Sequence, residues 1–179
     1  MSSGFEAIVW KENKIVLLDQ TQIPISETYI SYDELAPYID AIQRLVVRGA
    51  PALGVAGAYG VVLVIDEAAR KGHSAQELEH NLDLLRDARP TAVNLAWAVE
   101  KIRKHLPEGR DAVLAAAHQL ASEDKQSSTD MGNIGADWLI KKLGNKAMTL
   151  LTHCNTGSLA TTGTGTALGV IKKMHKRGL

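Results

Sequence analysis

A single thiol, Cys154, stands in the run Thr152-His153-Cys154-Asn155-Thr156-Gly157, where a short apolar segment gives way to small residues. A thiol at the carboxyl end of a strand, beside a helix N-terminus, is placed to act as a nucleophile or a proton-moving base. By position and neighbours alone Cys154 reads equally as an inert core cysteine, because free cysteines are often buried. Two arginines occupy comparable corners. Arg48-Gly49-Ala50-Pro51 combines a glycine that can expose backbone N–H groups with a proline suited to opening a helix. Arg89-Pro90-Thr91-Ala92-Val93-Asn94-Leu95 again sets an arginine before a proline, with Thr91 and Asn94 in the first helical turn. A planar guanidinium beside a helix N-terminus matches phosphate oxygens. Each motif alone is also what a surface arginine near a helix end looks like. One thiol and two anion corners together make a coherent site for a phosphorylated small molecule.

Other candidates are weaker. Gly163, Gly165 and Gly169 depart from the Gly-x-Gly-x-x-Gly spacing of a dinucleotide site and follow the apolar run too late. Thr161, Thr162, Thr164 and Thr166 offer hydroxyls either to a phosphate or sugar or to local turns. His73, His80, His105, His118, His153 and His175 show no metal-binding spacing, and His153 on a strand points away from Cys154. Glu123-Asp124 reads as a helix cap or a solvated pair. No metal and no cofactor is expected.

Composition narrows the classes further. Twenty basic and 20 acidic residues give a formal net charge of zero. That argues against a broad nucleic-acid or anionic-membrane footprint, though not against a small anion site. One cysteine excludes an internal disulfide framework and fits a reducing, cytoplasmic compartment. Met1 to Trp10 carries Glu6 and no long apolar run, so no signal peptide is expected. The most apolar stretch, Ala50 to Ile65, reads as a buried helix rather than a membrane span.

The elements that must position these residues follow from periodicity. Ala7–Trp10 and Ile15–Gln20 flank the polar Lys11-Glu12-Asn13-Lys14, which predicts a hairpin, with a third edge strand near Thr28–Ile30. Ser31, three residues before Glu34, predicts a capping box opening a helix that runs on to Val47. Helices follow over 51–69, 74–87, 92–105, 111–121 and 130–143, and Gly54, Gly57 and Gly60 predict a close helix contact. Ala147–Thr152 predicts a buried strand, Asn155–Thr166 a small-residue loop and Ala167–Lys176 a helix. This is the opening of a βαβ unit. The fold class is therefore α/β: a small N-terminal sheet with a helical domain over 1–145, then the first strand and helix of a Rossmann-like domain over 146–179. A lone parallel strand has no partner, so the chain is expected to be part of a longer protein.

Val47-Arg48-Gly49-Ala50-Pro51-Ala52, the Arg89–Leu95 run, His153–Thr161 and Gly165-Thr166-Ala167-Leu168-Gly169 resemble, in the same order, the methylthioribose-1-phosphate isomerases. These belong to the superfamily of translation initiation factor 2B regulatory subunits. Glu6–Trp10 is similar to the family's start, so the resemblance spans essentially the whole chain. It implies conversion of 5-methylthioribose 1-phosphate to 5-methylthioribulose 1-phosphate in methionine salvage, without metal or nicotinamide, by a cytoplasmic homodimer. It places Cys154 at the family's catalytic cysteine, and Arg48, Gly49, Ala50 and Arg89 at its substrate-phosphate positions. The family's catalytic aspartate lies in its C-terminal domain, and Asp124, Asp130 and Asp137 do not match it. The polypeptide alone is therefore expected to be inactive. The related alternatives are a ribose-1,5-bisphosphate isomerase and a non-catalytic regulatory subunit. The Cys-Asn-Thr-Gly run favours an isomerase over the regulatory subunits, which generally lack it. The wider match around Arg89 and Cys154 favours the methylthio substrate.

Overall fold

The computed structural model describes residues 6–144 and 146–179. The absence of a leader, as far as it concerns residues 1–5, and Asn145 of the expected turn lie outside them. The chain opens with three antiparallel strands, β1 (Ile8–Lys11), β2 (Lys14–Leu18) and β3 (Tyr29–Tyr32), in the order β1-β2-β3. Lys11 pairs with Lys14, leaving Glu12 and Asn13 as a two-residue loop. Both have positive φ, 52° and 58°, as a type I′ turn requires. Alternation along β2 buries Ile15 and Leu17 completely beneath the helices.

Six α-helices follow among the described residues: α1 (Leu35–Gln43), α2 (Ala50–Lys71), α3 (Ala75–Arg86), α4 (Val93–Arg103), α5 (Arg110–Leu143) and α6 (Ala167–Lys176). α2 is the hub and packs on α1, α3, α4 and α5. By length and composition it is apolar enough to cross a bilayer, beyond the sequence expectation, yet 83% of its most apolar window is buried in this core. Its small residues explain the tight packing. A Cβ at Gly57 would stand 2.8 Å from the Leu95 carbonyl oxygen, so α4 can lie directly against the α2 backbone only where no side chain intervenes.

Three expectations need correction. Ser31 caps no helix; it pairs with Val16 inside β3. The cap of α1 comes from far along the chain instead: the Leu35 N–H donates to Glu67 Oε2 at 2.5 Å. The capping box occurs at Ser74 and Glu77, where α3 begins. Second, 111–121 and 130–143 are one 34-residue helix, α5. The polar stretch between them, Ser122 to Thr129, contains no glycine or proline to stop it. Gly132, inside α5, faces the Gly169 backbone of α6. Third, Ala147–Thr152 is not a buried strand. It pairs with nothing among the described residues, and Leu151 is 92% exposed. A parallel strand gains its stability from neighbours on both sides, and the one sheet among the described residues is built from β1–β3.

Glu67 makes the α1–α2 junction acid-sensitive. Burial pushes its carboxyl up, but hydrogen bonds from Lys71 and from the Leu35 N–H, together with the Lys71 charge, hold it below the ordinary value of 4.5. A carboxyl depressed in the folded state stabilises the protein above its unfolded pKa, and that contribution is lost as pH falls through the folded value. Stability should therefore decline below about pH 4.5, and Glu67→Gln should flatten that part of a denaturation-versus-pH profile. The same acid slope in both proteins would mean that Glu67 does not govern the junction.

Candidate functional site

Each cleft-forming segment is locked by local structure. At the end of α1, Leu45 adopts φ 66°, while the Leu45 N–H and Val46 N–H donate back to Ile42 and Ala41 carbonyls. This left-handed residue turns the chain sharply. Val46 and Val47 then enter the core completely, and the Gln20 N–H donates to the Val46 carbonyl. Arg48 emerges exposed immediately beyond these anchors, followed by Gly49 as the N-cap of α2. After α3, buried Ala88 anchors a turn closed by the Ala92 N–H on the Arg89 carbonyl, which leads into α4.

These segments meet Cys154 in one cleft of about 530 Å³. Its walls include Arg48, Gly49, Ala50, Arg89, Cys154 and Asn155. All five residues singled out from the sequence as site residues therefore line a single cavity, although they come from three distant parts of the chain. The N-termini of α2 and α4 both open here, and neither is capped by a side chain. Unsatisfied N–H groups and the positive ends of two helix dipoles thus converge. The arginines strengthen the field. Arg44, Arg86, Arg103, Arg110 and Arg177 are each ion-paired, and Arg70 donates to the Asp33 carbonyl. Arg48 and Arg89 have no carboxylate partner among the described residues. Two unneutralised guanidiniums and two open helix ends are the features that suit an anion. Leu45, Leu53 and Val93 add an apolar side to the cleft.

Cys154 is exposed and has φ 66°, in the left-handed region that non-glycine residues seldom occupy. Among the described residues Cys154 is thus not part of the packed core. Such backbone conformations persist where the surroundings over-determine them, and they gather at functional sites. The loop beyond Cys154 closes on itself through the Thr166 N–H and the Thr156 carbonyl, 2.9 Å apart. It also meets α2 tightly, for a Cβ on Gly49 would lie 2.5 Å from Ala160 Cβ.

Three of the four threonine hydroxyls resolve toward structure rather than ligand, while Thr166 lines a neighbouring hollow. Thr161 accepts from the Gly163 N–H, Thr162 bonds to Asp124 and Thr164 points to the Ser128 carbonyl. Glu123 and Asp124 line a separate hollow of about 340 Å³ with Trp97 and Met131. Asp124 serves as a loop anchor, a role neither a cap nor a solvated pair would have. Sequence reading also missed Gln20, whose amide donates to the Leu159 carbonyl at 2.8 Å, 139 residues away. Neither contact leaves a signal in local spacing. No group of three His, Cys, Asp or Glu side chains suited to a metal occurs among the described residues.

Comparison with known proteins adds an independent line. The profile of the initiation factor 2 subunit family matches residues 46–179. The methylthioribose-1-phosphate isomerase of Pseudomonas syringae pv. tomato (strain ATCC BAA-871 / DC3000) is 42% identical, over 97% of this chain and 50% of its own. That of Pseudomonas aeruginosa (strain UCBPP-PA14) is 41% identical with the same coverage. Among solved structures, 5-methylthioribose 1-phosphate isomerase from Pyrococcus horikoshii OT3 superposes with a TM-score of 0.79 at 31% identity, covering 97% of this chain and 50% of that one. The translation initiation factor eIF-2B subunit delta from A. fulgidus gives 0.78 at 37% identity, covering 97% and 52%. The chain spans about half the length of the curated relatives it matches.

Proposed function

Since the chain belongs to the initiation factor 2 subunit family, we propose that it carries the phosphate-binding and thiol-bearing part of a methylthioribose-1-phosphate isomerase. The observation that supports this reading most is the convergence of Arg48, Gly49, Ala50, Arg89 and Cys154 on one cleft. The substrate's anomeric phosphate sits between the two arginines and the N-termini of α2 and α4. With the phosphate held there, the sugar ring opens, and hydrogen moves between C2 and C1 beside Cys154. The thiol either moves that proton as a base or stabilises the transition state. Because the phosphate is carried on C1, holding it in the arginine corner also fixes the neighbouring reacting carbons relative to the thiol.

Residues 146–179 are read as the opening of a Rossmann-like domain following an N-terminal unit over 1–145. The succession of extended chain, small-residue loop and helix supports this. The whole protein is read as a cytoplasmic homodimer, on the family resemblance and the single cysteine. A regulatory role is the second reading, favoured by the higher identity to the A. fulgidus structure. Cys154 in its strained, cleft-facing position argues for the isomerase.

The arginines supply the test. Arg48→Ala and Arg89→Ala should each weaken binding of 5-methylthioribose 1-phosphate by about 10- to 100-fold, the worth of one charge-assisted hydrogen bond. Calorimetric titration measures it directly. Affinity unchanged in both variants would remove the phosphate assignment.

A further inference from the structure

Cys154 lies in a backbone conformation that nothing in its own side chain favours, so something outside residue 154 must hold it. The loop that follows has its strongest polar anchor on α5. Asp124 Oδ2 accepts from both the Thr162 N–H and the Thr162 hydroxyl, each at 2.6 Å. The same hydroxyl lies 3.0 Å from the Ala121 carbonyl. One carboxylate oxygen thus takes two hydrogen bonds from a residue 38 positions away, and charge-assisted bonds of this kind are the stronger class. Tension applied at Thr162 reaches the thiol by a short route. The Thr166 N–H to Thr156 carbonyl bond closes the loop two residues after Cys154. The loop also lies close on α5 at Gly163, where an added Cβ would stand 2.9 Å from Ser128 Cβ and 3.1 Å from the Lys125 carbonyl oxygen. The Gln20 amide and the Gly49–Ala160 contact hold its other side, next to the arginine corner.

We infer that Asp124 is a positioning residue, which holds the 154–166 loop so that Cys154 stays against the anion cleft. This rests on the phosphate reading of that cleft. Asp124 lines the neighbouring hollow and not the cleft itself. It acts through Thr162 and the loop, and does not touch the bound anion.

The protein has one cysteine, so alkylation by iodoacetamide, followed by intact mass, reports on that thiol alone. In the native chain, inorganic phosphate at ten times its dissociation constant should slow alkylation about tenfold, as simple occupancy requires. In Asp124→Ala, phosphate affinity by calorimetry should stay within about threefold, because the arginines and helix ends are untouched, while protection falls below about twofold. Asp124→Asn, whose amide oxygen still accepts from the Thr162 N–H, should recover most of the protection. Thr162→Val, which keeps the N–H and loses the hydroxyl, should fall between. Protection undiminished in Asp124→Ala overturns the inference. So does loss of affinity and protection together in a variant with native circular dichroism, since Asp124 would then support the whole site. Absence of protection in the native chain would overturn the phosphate reading first and this inference with it.

Discussion

Gly49→Ala should lower folding stability by about 2–6 kcal/mol and abolish phosphate binding. Two effects combine. At φ 100° and ψ 132° the backbone of residue 49 is in territory that L side chains rarely adopt, which costs of order 1–3 kcal/mol. The new Cβ would also stand 2.5 Å from Ala160 Cβ, 2.6 Å from its Cα and 2.8 Å from its carbonyl oxygen. Relieving that overlap displaces backbone, at about 1–3 kcal/mol more. The displaced parts are the N-terminus of α2 and the loop after Cys154, so the anion corner and the thiol separate together. Gly72 is the internal control. It too has positive φ, 70°, but a Cβ there meets nothing within 4 Å. Gly72→Ala should therefore cost only about 1–2 kcal/mol and leave binding intact. Removing the Ala160 methyl in a Gly49→Ala background should not restore the site, because the Ala160 backbone is also in the way. Urea denaturation with phosphate titration reads both quantities. Equal losses at positions 49 and 72 would mean that the contact with Ala160 is unimportant.

Cys154→Ser should reduce turnover by about 10²- to 10⁴-fold, the range for loss of a positioned proton-transfer group. It should change affinity for the sugar phosphate by less than about twofold, since the phosphate ligands are elsewhere. The assay belongs in a protein that spans the full length of the curated relatives. Cys154→Gly sharpens the point. Glycine relieves the left-handed strain, so it should stabilise the fold by about 1 kcal/mol while removing activity. A residue whose replacement improves stability and abolishes turnover is held there for chemistry. Parallel loss of binding and rate in Cys154→Ser would instead mark the cysteine as structural.

How much of this was legible in the sequence depended on the range of the interaction. Glu12-Asn13 between two apolar runs is enough to predict a hairpin, because the turn and its flanking strands are adjacent in sequence. Arg48 was legible because the glycine and proline beside it mark a helix start, and α2 does begin there; beside Arg89, Pro90 and Thr91 form a turn instead of the expected first helical turn, and α4 starts only at Val93. The Ser31 capping box failed because local capping geometry competed with a ladder partner, Val16, that spacing does not reveal. Ala147–Thr152 has the residues of a strand, but among the described residues it pairs with nothing. Asp124 and Gln20 were beyond reach for the same reason as the cap of α1 by Glu67. Their partners lie 38, 139 and 32 residues away, and only the packed helices bring them together. The convergence of three short motifs on one cleft is likewise a tertiary fact, which the motif order hints at without establishing.

If the cleft works as proposed, one sugar phosphate touches both arginine corners and the thiol segment at once. Backbone amide NMR of the chain titrated with 5-methylthioribose 1-phosphate tests this most directly. Saturable shifts should concentrate in residues 48–53, 89–95 and 153–156, rising together with a single dissociation constant. Shifts confined to one of these segments, or centred on the hollow around Trp97 and Met131, would contradict it.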